Sequence, residues 1–376
     1  MKDFIPVNRP DISGSLEKKY LNECIETGWI SSEGPFVTKF EEDFSKNVGR
    51  KFGVAVTNGS MALEIAIQSL DIGPGDEVIL PTFTIISCAA AIVRAGAKPI
   101  VVDCDIETWN IDASKIEGLI NKNTKAIMVV HIYGLPSEMD EITKLSKNYN
   151  IPIIEDSAEM HGQTYKNKPC GSFGVLSTFS FYPNKHITTG EGGMIVTDDK
   201  KVYERCKSLR NLSFNSKKRF VHYELGWNAR MTNLQAALGL AQLSRLSEFI
   251  KRKREIGAIY QSILSTTDCI QLPKDNTDYA KNIYWVFGIV LKNENGPTAE
   301  TIIDELKNKN VGSRPFFWPM HKQPIFEEMK IFDNESHPIS EKIAKNGFYL
   351  PSGIGNTNDE IQYSAETLIN ILKKYD

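Results

Sequence analysis

Several function classes are excluded by what this chain lacks. Its six cysteines, at 24, 88, 104, 170, 206 and 269, include no C-x-x-C pair, and its six histidines form no cluster with metal-ligand spacing. No metal centre is expected, and the thiols read as small buried side chains in a reducing compartment. An excess of one charge is missing too. Lys and Arg number 44 against 47 Asp and Glu, a net charge of −3, whereas a nucleic-acid footprint needs a basic surplus. Two short basic runs stand out, Lys217-Lys218-Arg219 and Lys251-Arg252-Lys253-Arg254. The second reads as a solvated helix face, and the first is a candidate neighbour of an anionic ligand. No apolar run approaches the length of a membrane span, and Met1-Lys2-Asp3-Phe4-Ile5-Pro6 has no apolar signal region. A soluble, cytoplasmic chain with no membrane partner is expected. The P-loop motif, internal repeats and low-complexity segments are also missing.

What remains is ordinary globular composition, 41% hydrophobic and 24% charged, over 376 residues. That length is enough for two domains. From about residue 50 short β-branched runs alternate with helical periodicity. Strands are expected at 53–57, 77–80, 99–103, 126–132 and 151–155, with helices at 60–70, 86–96, 113–120 and 139–149. Such alternation predicts a mainly parallel sheet with helices on both faces. Two further strands are expected at 178–182 and 194–197, then helices at 230–244 and 246–265. A smaller α+β region follows, with a strand at 283–291 and a helix at 298–309. The boundary is placed near residue 245, giving a large α/β domain over 1–245 and a smaller one over 246–376.

Open α/β sheets bind ligands at the carboxyl ends of their strands, and three chemistry-bearing segments fall at such ends. One is Ser180-Phe181-Tyr182-Pro183-Asn184-Lys185, which continues through His186-Ile187-Thr188-Thr189 to Gly190-Glu191-Gly192-Gly193. Lys185 lies between two apolar stretches. An amine held there loses hydration, which lowers its pKa and makes it a nucleophile able to form a Schiff base. The plainer reading is a lysine in a tight loop bonded to a carbonyl. A second is Glu155-Asp156-Ser157-Ala158-Glu159. Asp156 at a buried strand end suits a protonated ring nitrogen, though an N-cap aspartate is the simpler alternative. The third is Thr57-Asn58-Gly59-Ser60-Met61, whose glycine and first helical amides suit a phosphate. Each signal is modest, but together, with Ser180 as a further phosphate donor, they describe a pyridoxal-phosphate (PLP) site.

The chain resembles the DegT/DnrJ-type sugar aminotransferases, a branch of the fold-type I PLP enzymes. The likeness covers nearly the whole length. It runs through Trp29-Ile30-Ser31-Ser32-Glu33-Gly34-Pro35, Asn58-Gly59-Ser60-Met61-Ala62-Leu63, Pro81-Thr82-Phe83-Thr84 and His131-Ile132-Tyr133-Gly134. It continues in the two segments around Asp156 and Lys185, in Asn228-Ala229-Arg230-Met231-Thr232-Asn233 and in Arg314-Pro315. Within the family the chain is most similar to members that aminate C4 of GDP-4-keto-6-deoxymannose.

The resemblance implies a fold-type I, aspartate aminotransferase-like architecture and a cofactor cycling between PLP and pyridoxamine phosphate (PMP). It also implies glutamate and a nucleotide-linked keto-sugar as substrates, and a homodimer with shared active sites. By the same likeness Lys185 is the Schiff-base lysine, Asp156 the ring-nitrogen partner and Glu159 the contact to the ring hydroxyl. Gly59, Ser60, the Met61 amide and Ser180 are implied as phosphate ligands, with Asn228 supplied by the partner subunit. Ile85 stands where relatives often stack an aromatic residue on the ring, and neighbouring Phe83 is expected to point elsewhere. Arg314 and His321 are implied near the nucleotide-sugar. Trp29 either lines the sugar site or anchors the N-terminal arm. His161 and His186 read more simply as packing imidazoles, and Glu191 as ordering the glycine turn. Alternatives are a UDP- or dTDP-linked keto-sugar as substrate, a PMP-dependent sugar dehydratase, in which a histidine replaces the lysine, and a non-catalytic scaffold.

Overall fold

The computed structural model describes residues 3–214, 217–293, 295–332 and 334–375. Nine strands come from the first part of the chain: β1 (Phe52–Val56), β2 (Glu77–Pro81), β3 (Lys98–Val102), β4 (Thr124–Val130), β5 (Ile153–Asp156), β6 (Thr164–Tyr165), β7 (Lys168–Pro169), β8 (Leu176–Ser180) and β9 (Gly193–Thr197). Seven of them form one sheet in the order β1-β9-β8-β5-β4-β2-β3, while β6 and β7 pair as a small hairpin. Every neighbour in the large sheet is parallel except β9, which runs antiparallel to both β1 and β8.

The strands are buried on both faces, and their side chains alternate between cores, as a period of two requires. Val54, Val56 and Ile154 join one cluster with the helices Gly59–Ser69 and Ile86–Arg94. Ala55 faces a second cluster with Phe40, Phe44 and Ala237, from the helices Pro35–Asn47 and Asn233–Ser244. Ile153 faces a third, with Ile142 of Met139–Tyr149.

After the long helix Leu246–Leu264, a four-stranded antiparallel sheet forms in the order β10-β11-β13-β12. Its strands are β10 (Ile270–Gln271), β11 (Phe287–Leu291), β12 (Arg314–Pro315) and β13 (Gly347–Leu350). The helices Ala299–Asn308 and Asn358–Leu372 pack on it. The N-terminal arm runs along this layer. Ile5 N–H donates to Asn310 O at 2.8 Å, Ser352 N–H to Val7 O at 3.0 Å, and Arg9 pairs with Glu360 at 3.0 Å.

Local chemistry explains where elements depart from expectation. The 113–120 segment is two 3₁₀ turns, Ala113–Lys115 and Glu117–Leu119, not an α-helix. Asp112 turns its side chain back onto Ser114 N–H, and the bonds close over three residues. The helix expected from 230 starts at Asn233, because Thr232 is extended and forms a reciprocal capping box with Gln235. The strand expected from 283 starts at Phe287; Tyr284 has φ +47°, which no strand accommodates. The run at 251–254 is not wholly a solvated face, since Lys253 is buried. Among the described residues no helix is long and apolar enough to cross a membrane, no His/Cys/Asp/Glu group is arranged to hold a metal, and all six cysteines are unbridged.

Candidate active site

A cleft of about 710 Å³ opens at the carboxyl ends of the parallel strands. Asn58, Gly59 and Ser60 line it after β1, Thr84, Ile85 and Ser87 after β2, and Asp156 at the end of β5 with Ala158 and Glu159 just beyond it. Ser180, Asn184 and Lys185 enter after β8, and Trp285, Arg314, Phe317 and Tyr349 face them from the C-terminal layer. This is where the topology of an open α/β sheet puts a ligand.

Lys185 projects into the cleft from the loop after β8. Its side chain is 10% exposed, and Nζ lies 3.6 Å from Glu159 Oε1 and 3.8 Å from the centre of the Trp285 ring. Burial pushes the amine below its ordinary pKa, although Glu159 and Asp156 oppose the shift. Burial likewise pushes the Glu159 carboxyl up to about 7, against the pull of Lys185 and of Tyr133 N–H, which donates to Oε2 at 2.7 Å.

Asp156 ends β5. Its Oδ1 accepts from Ala158 N–H at 3.0 Å and its Oδ2 from the Cys88 thiol at 3.3 Å. Burial raises its pKa and these donors only partly offset that. A buried carboxylate in this state favours a cationic partner.

The phosphate end is built by close approach. A Cβ on Gly59 would lie 2.8 Å from Ser180 Cβ, so only glycine leaves the cradle open. Asn58 caps the helix Gly59–Ser69 by accepting Met61 N–H at 2.8 Å. That bond corrects the expectation for Met61, whose amide is already satisfied. By helix geometry the Gly59 and Ser60 amides are the first-turn donors left over. Ser60 Oγ lies 2.8 Å from Ser87 Oγ, a second hydroxyl at the same end. Thr178 Oγ1, buried in the cleft wall, has no hydrogen-bond partner. An amine, a strand-end carboxylate, an open glycine cradle and an orphaned hydroxyl fit pyridoxal phosphate: Lys185 for the aldehyde, Asp156 for the ring nitrogen, Gly59, Ser60 and Ser180 for the phosphate.

Comparison with known proteins agrees with that chemistry. The model of the DegT/DnrJ/EryC1/StrS aminotransferase family matches residues 11–369. The chain belongs to that family. It is 42% identical over 365 residues to the GDP-perosamine synthase of Escherichia coli O157:H7, covering 97% of this chain and 98% of that protein. It is 38% identical over 372 residues to the GDP-perosamine synthase of Vibrio cholerae, covering 99% of each. Among solved structures, the aminotransferase TlmJ from Streptoalloteichus hindustanus superposes with a TM-score of 0.91 at 26% identity, covering 99% of each chain. The "Putative sugar aminotransferase Spr1654" of Streptococcus pneumoniae in its PMP form gives 0.90 at 26% identity, covering 99% and 98%. The fold is therefore fold type I, and the protein is a PLP/PMP-dependent sugar aminotransferase.

In this aminotransferase the cleft gathers Gly59, Ser60, Ile85, Asp156, Glu159, Ser180, Lys185 and Arg314. Phe83 turns away, packing against Tyr133, Phe316 and Phe317. Three expected residues lie elsewhere. His321 is buried outside the cleft, with Nδ1 2.7 Å from Thr82 Oγ1 and Nε2 2.9 Å from Glu341 Oε1. Both nitrogens are engaged, so it pins the chain after Pro319 to the end of β2 and is not a sugar contact. Trp29 is half exposed and outside this chain's cleft, and its backbone carbonyl accepts Asn233 Nδ2 at 2.6 Å, which ties the N-terminal segment to the helix Asn233–Ser244. Asn228 is exposed and away from this chain's cleft, its Oδ1 accepting Arg230 Nε at 3.0 Å. Burial pushes His161 down to about 3 and His186 well below its ordinary value, so both are neutral packing imidazoles. The Glu191 carbonyl accepts Thr189 Oγ1 and Gln235 Nε2, which orders the glycine turn.

Sequence reasoning missed Trp285, Ser87 and Tyr349. Ser87 was within reach, because a serine in the first turn of the helix after β2 repeats the pattern of Ser60. Trp285 and Tyr349 arrive from the C-terminal layer, and no local motif marks them.

Proposed function

We propose that this aminotransferase moves the amino group of glutamate to C4 of GDP-4-keto-6-deoxymannose, giving GDP-perosamine. Full-length similarity to the GDP-perosamine synthases of E. coli O157:H7 and V. cholerae carries this reading. When bound, pyridoxal phosphate supplies an aldehyde that takes up an amine and a ring that stores the electron pair left by a departing proton. With the cofactor bound, Lys185 would hold it at rest; the freed amine would then carry the proton from the amino-acid carbon to the cofactor's carbon and, in the second half, from that carbon to C4 of the sugar. Asp156 would keep the ring nitrogen protonated, and Glu159 would orient the ring hydroxyl beside Lys185. Gly59, Ser60 and Ser180 hold the phosphate, Ile85 covers the ring as an aliphatic contact, and Arg314 faces the anionic nucleotide.

The active unit in this reading is a homodimer in which Asn228 of a second copy completes the phosphate site. The exposed apolar side chains Phe220, Tyr223 and Leu225 just before Asn228 support it. Larger and smaller domains meeting near residue 245 belong to the same proposal.

A panel of GDP-, UDP- and dTDP-linked 3-keto and 4-keto sugars, each incubated with glutamate and read by product mass, tests the substrate. A sugar amine from GDP-4-keto-6-deoxymannose is expected. Turnover of a UDP- or dTDP-sugar without it would overturn the assignment.

A further inference from the structure

The loop that carries Lys185 is held at three successive carbonyls by donors from three parts of the chain. Lys185 N–H itself donates to Tyr182 O at 2.9 Å. Asn8 Nδ2, from the N-terminal arm, donates to Pro183 O at 2.8 Å. Trp285 Nε1, from the C-terminal layer, donates to Asn184 O at 2.9 Å. The same indole lays its face 3.8 Å from Lys185 Nζ, within the range where an ammonium is stabilised by the ring quadrupole.

Trp285 is itself fixed from behind. It is 4% exposed, lies near Tyr133 and stacks on Phe317. The residue before it, Tyr284, sits at φ +47°, where a bulky side chain is strained, and Asn282 Oδ1 holds it there by accepting Tyr284 N–H at 2.6 Å. Strain of this kind persists only where the surroundings over-determine it. Behind the tryptophan, Lys253 Nζ donates to Trp285 O at 2.8 Å and to Ser352 O. Lys253 is buried and its two acceptors are neutral carbonyls, so it clamps main chain instead of pairing a charge.

We infer that Trp285 is a positioning residue for Lys185, seating the ε-ammonium on the indole face while the indole N–H fixes the adjacent main chain, and that Lys253 holds Trp285 in place. This deepens the proposed chemistry and rests on Lys185 being the reactive amine. After the cofactor leaves the lysine, an amine on four rotatable bonds would otherwise be free to swing. The indole face and Glu159 confine it between them. The other titratable groups acting on Lys185 are Asp156, Cys88, His161 and His186, with Lys253 facing His186.

The test is competitive labelling of the full-length chain, stripped of cofactor, with trace acetic anhydride across pH, reading Lys185 by peptide mass. Removing the aromatic face removes a stabiliser of the charged amine, so Trp285→Leu moves the Lys185 midpoint down by about half to one and a half pH units. Trp285→Phe, which keeps a face but loses the N–H, recovers about half of that shift. Lys253→Met moves the midpoint in the same direction as Trp285→Leu, while exposed Lys166 stays constant in every variant. An unchanged midpoint in Trp285→Leu, an upward shift, or a Phe variant no better than Leu overturns the inference. If Trp285→Leu does not fold, the other two decide: a Phe variant lowered by about a quarter to three quarters of a pH unit together with a downward shift in Lys253→Met supports the inference, and any other pair overturns it. The readout needs neither cofactor nor sugar, so its failure leaves the assignment of the reaction standing.

Discussion

Glu155 and Asp156 are consecutive carboxylates at the end of β5, both buried, and their environments are opposite. Glu155 points to one side and is saturated with donors. Its Oε1 accepts from His131 Nε2 at 3.1 Å, Ser157 Oγ at 3.3 Å and Gly171 N–H. Its Oε2 accepts from Phe173 N–H at 2.9 Å, Ser177 Oγ at 3.1 Å and Gly174 N–H at 3.2 Å. Those donors overcome burial and bring its pKa down to about 2. Asp156 points into the cleft, has two donors, one of them a weak thiol, and its pKa is raised. Burial alone does not tell a structural carboxylate from a functional one. The unmet demand for a cation does, and here it faces Lys185 and the space where a ring nitrogen would sit.

Asp156→Asn should break the functional side alone. Turnover should fall by about 10³-fold, because the ring loses the carboxylate that keeps it protonated. Thermal stability should be unchanged or higher by about 1 kcal/mol, since an unpaired buried charge is removed. Equal losses of activity and stability would mean that Asp156 is structural. Glu155→Gln should do the reverse. An amide nitrogen would face N–H donors, at a cost of about 3–5 kcal/mol in a denaturant melt, and activity should fall only with the folded fraction.

The comparison also predicts the acid limb. The folded pKa of Glu155 lies below its ordinary 4.5, so its stabilisation is complete above pH 4.5 and is lost as pH falls toward about 2. Melts over that window should be steeper for wild type than for Glu155→Gln, and parallel curves would contradict the assignment. The smallest effect belongs to His321, which is saturated like Glu155. His321→Gln should cost about 1–2 kcal/mol of stability and leave the KM for the sugar nucleotide unchanged. A large rise in KM would return it to the sugar site.

The sheet and the site's chemical centre were legible because their signals are local. A β-strand, a turn and one chemistry-bearing residue sit together around Gly59, Asp156 and Lys185, and alternating periodicities order those strands. What was illegible depends on contacts across the chain. Trp285 meets Lys185 from 100 residues away. Lys253, within a basic run that reads as solvated, turns inward because two carbonyls await it. Met61 lost its expected role to Asn58 three residues earlier, a capping bond the sequence permits but does not demand. His321 sits in the right stretch of chain, yet Thr82 and Glu341 draw its ring away from the cleft.

The central claim is that Lys185, and no other buried amine, holds the cofactor. Lys253 is its natural rival, a fully buried lysine pushed down to about 7. Borohydride reduction of the cofactor-loaded enzyme, followed by peptide mapping, separates them. The account predicts the pyridoxyl mass on the peptide containing Lys185 and on no other. Label on Lys253, or reduction without any labelled lysine, would contradict it.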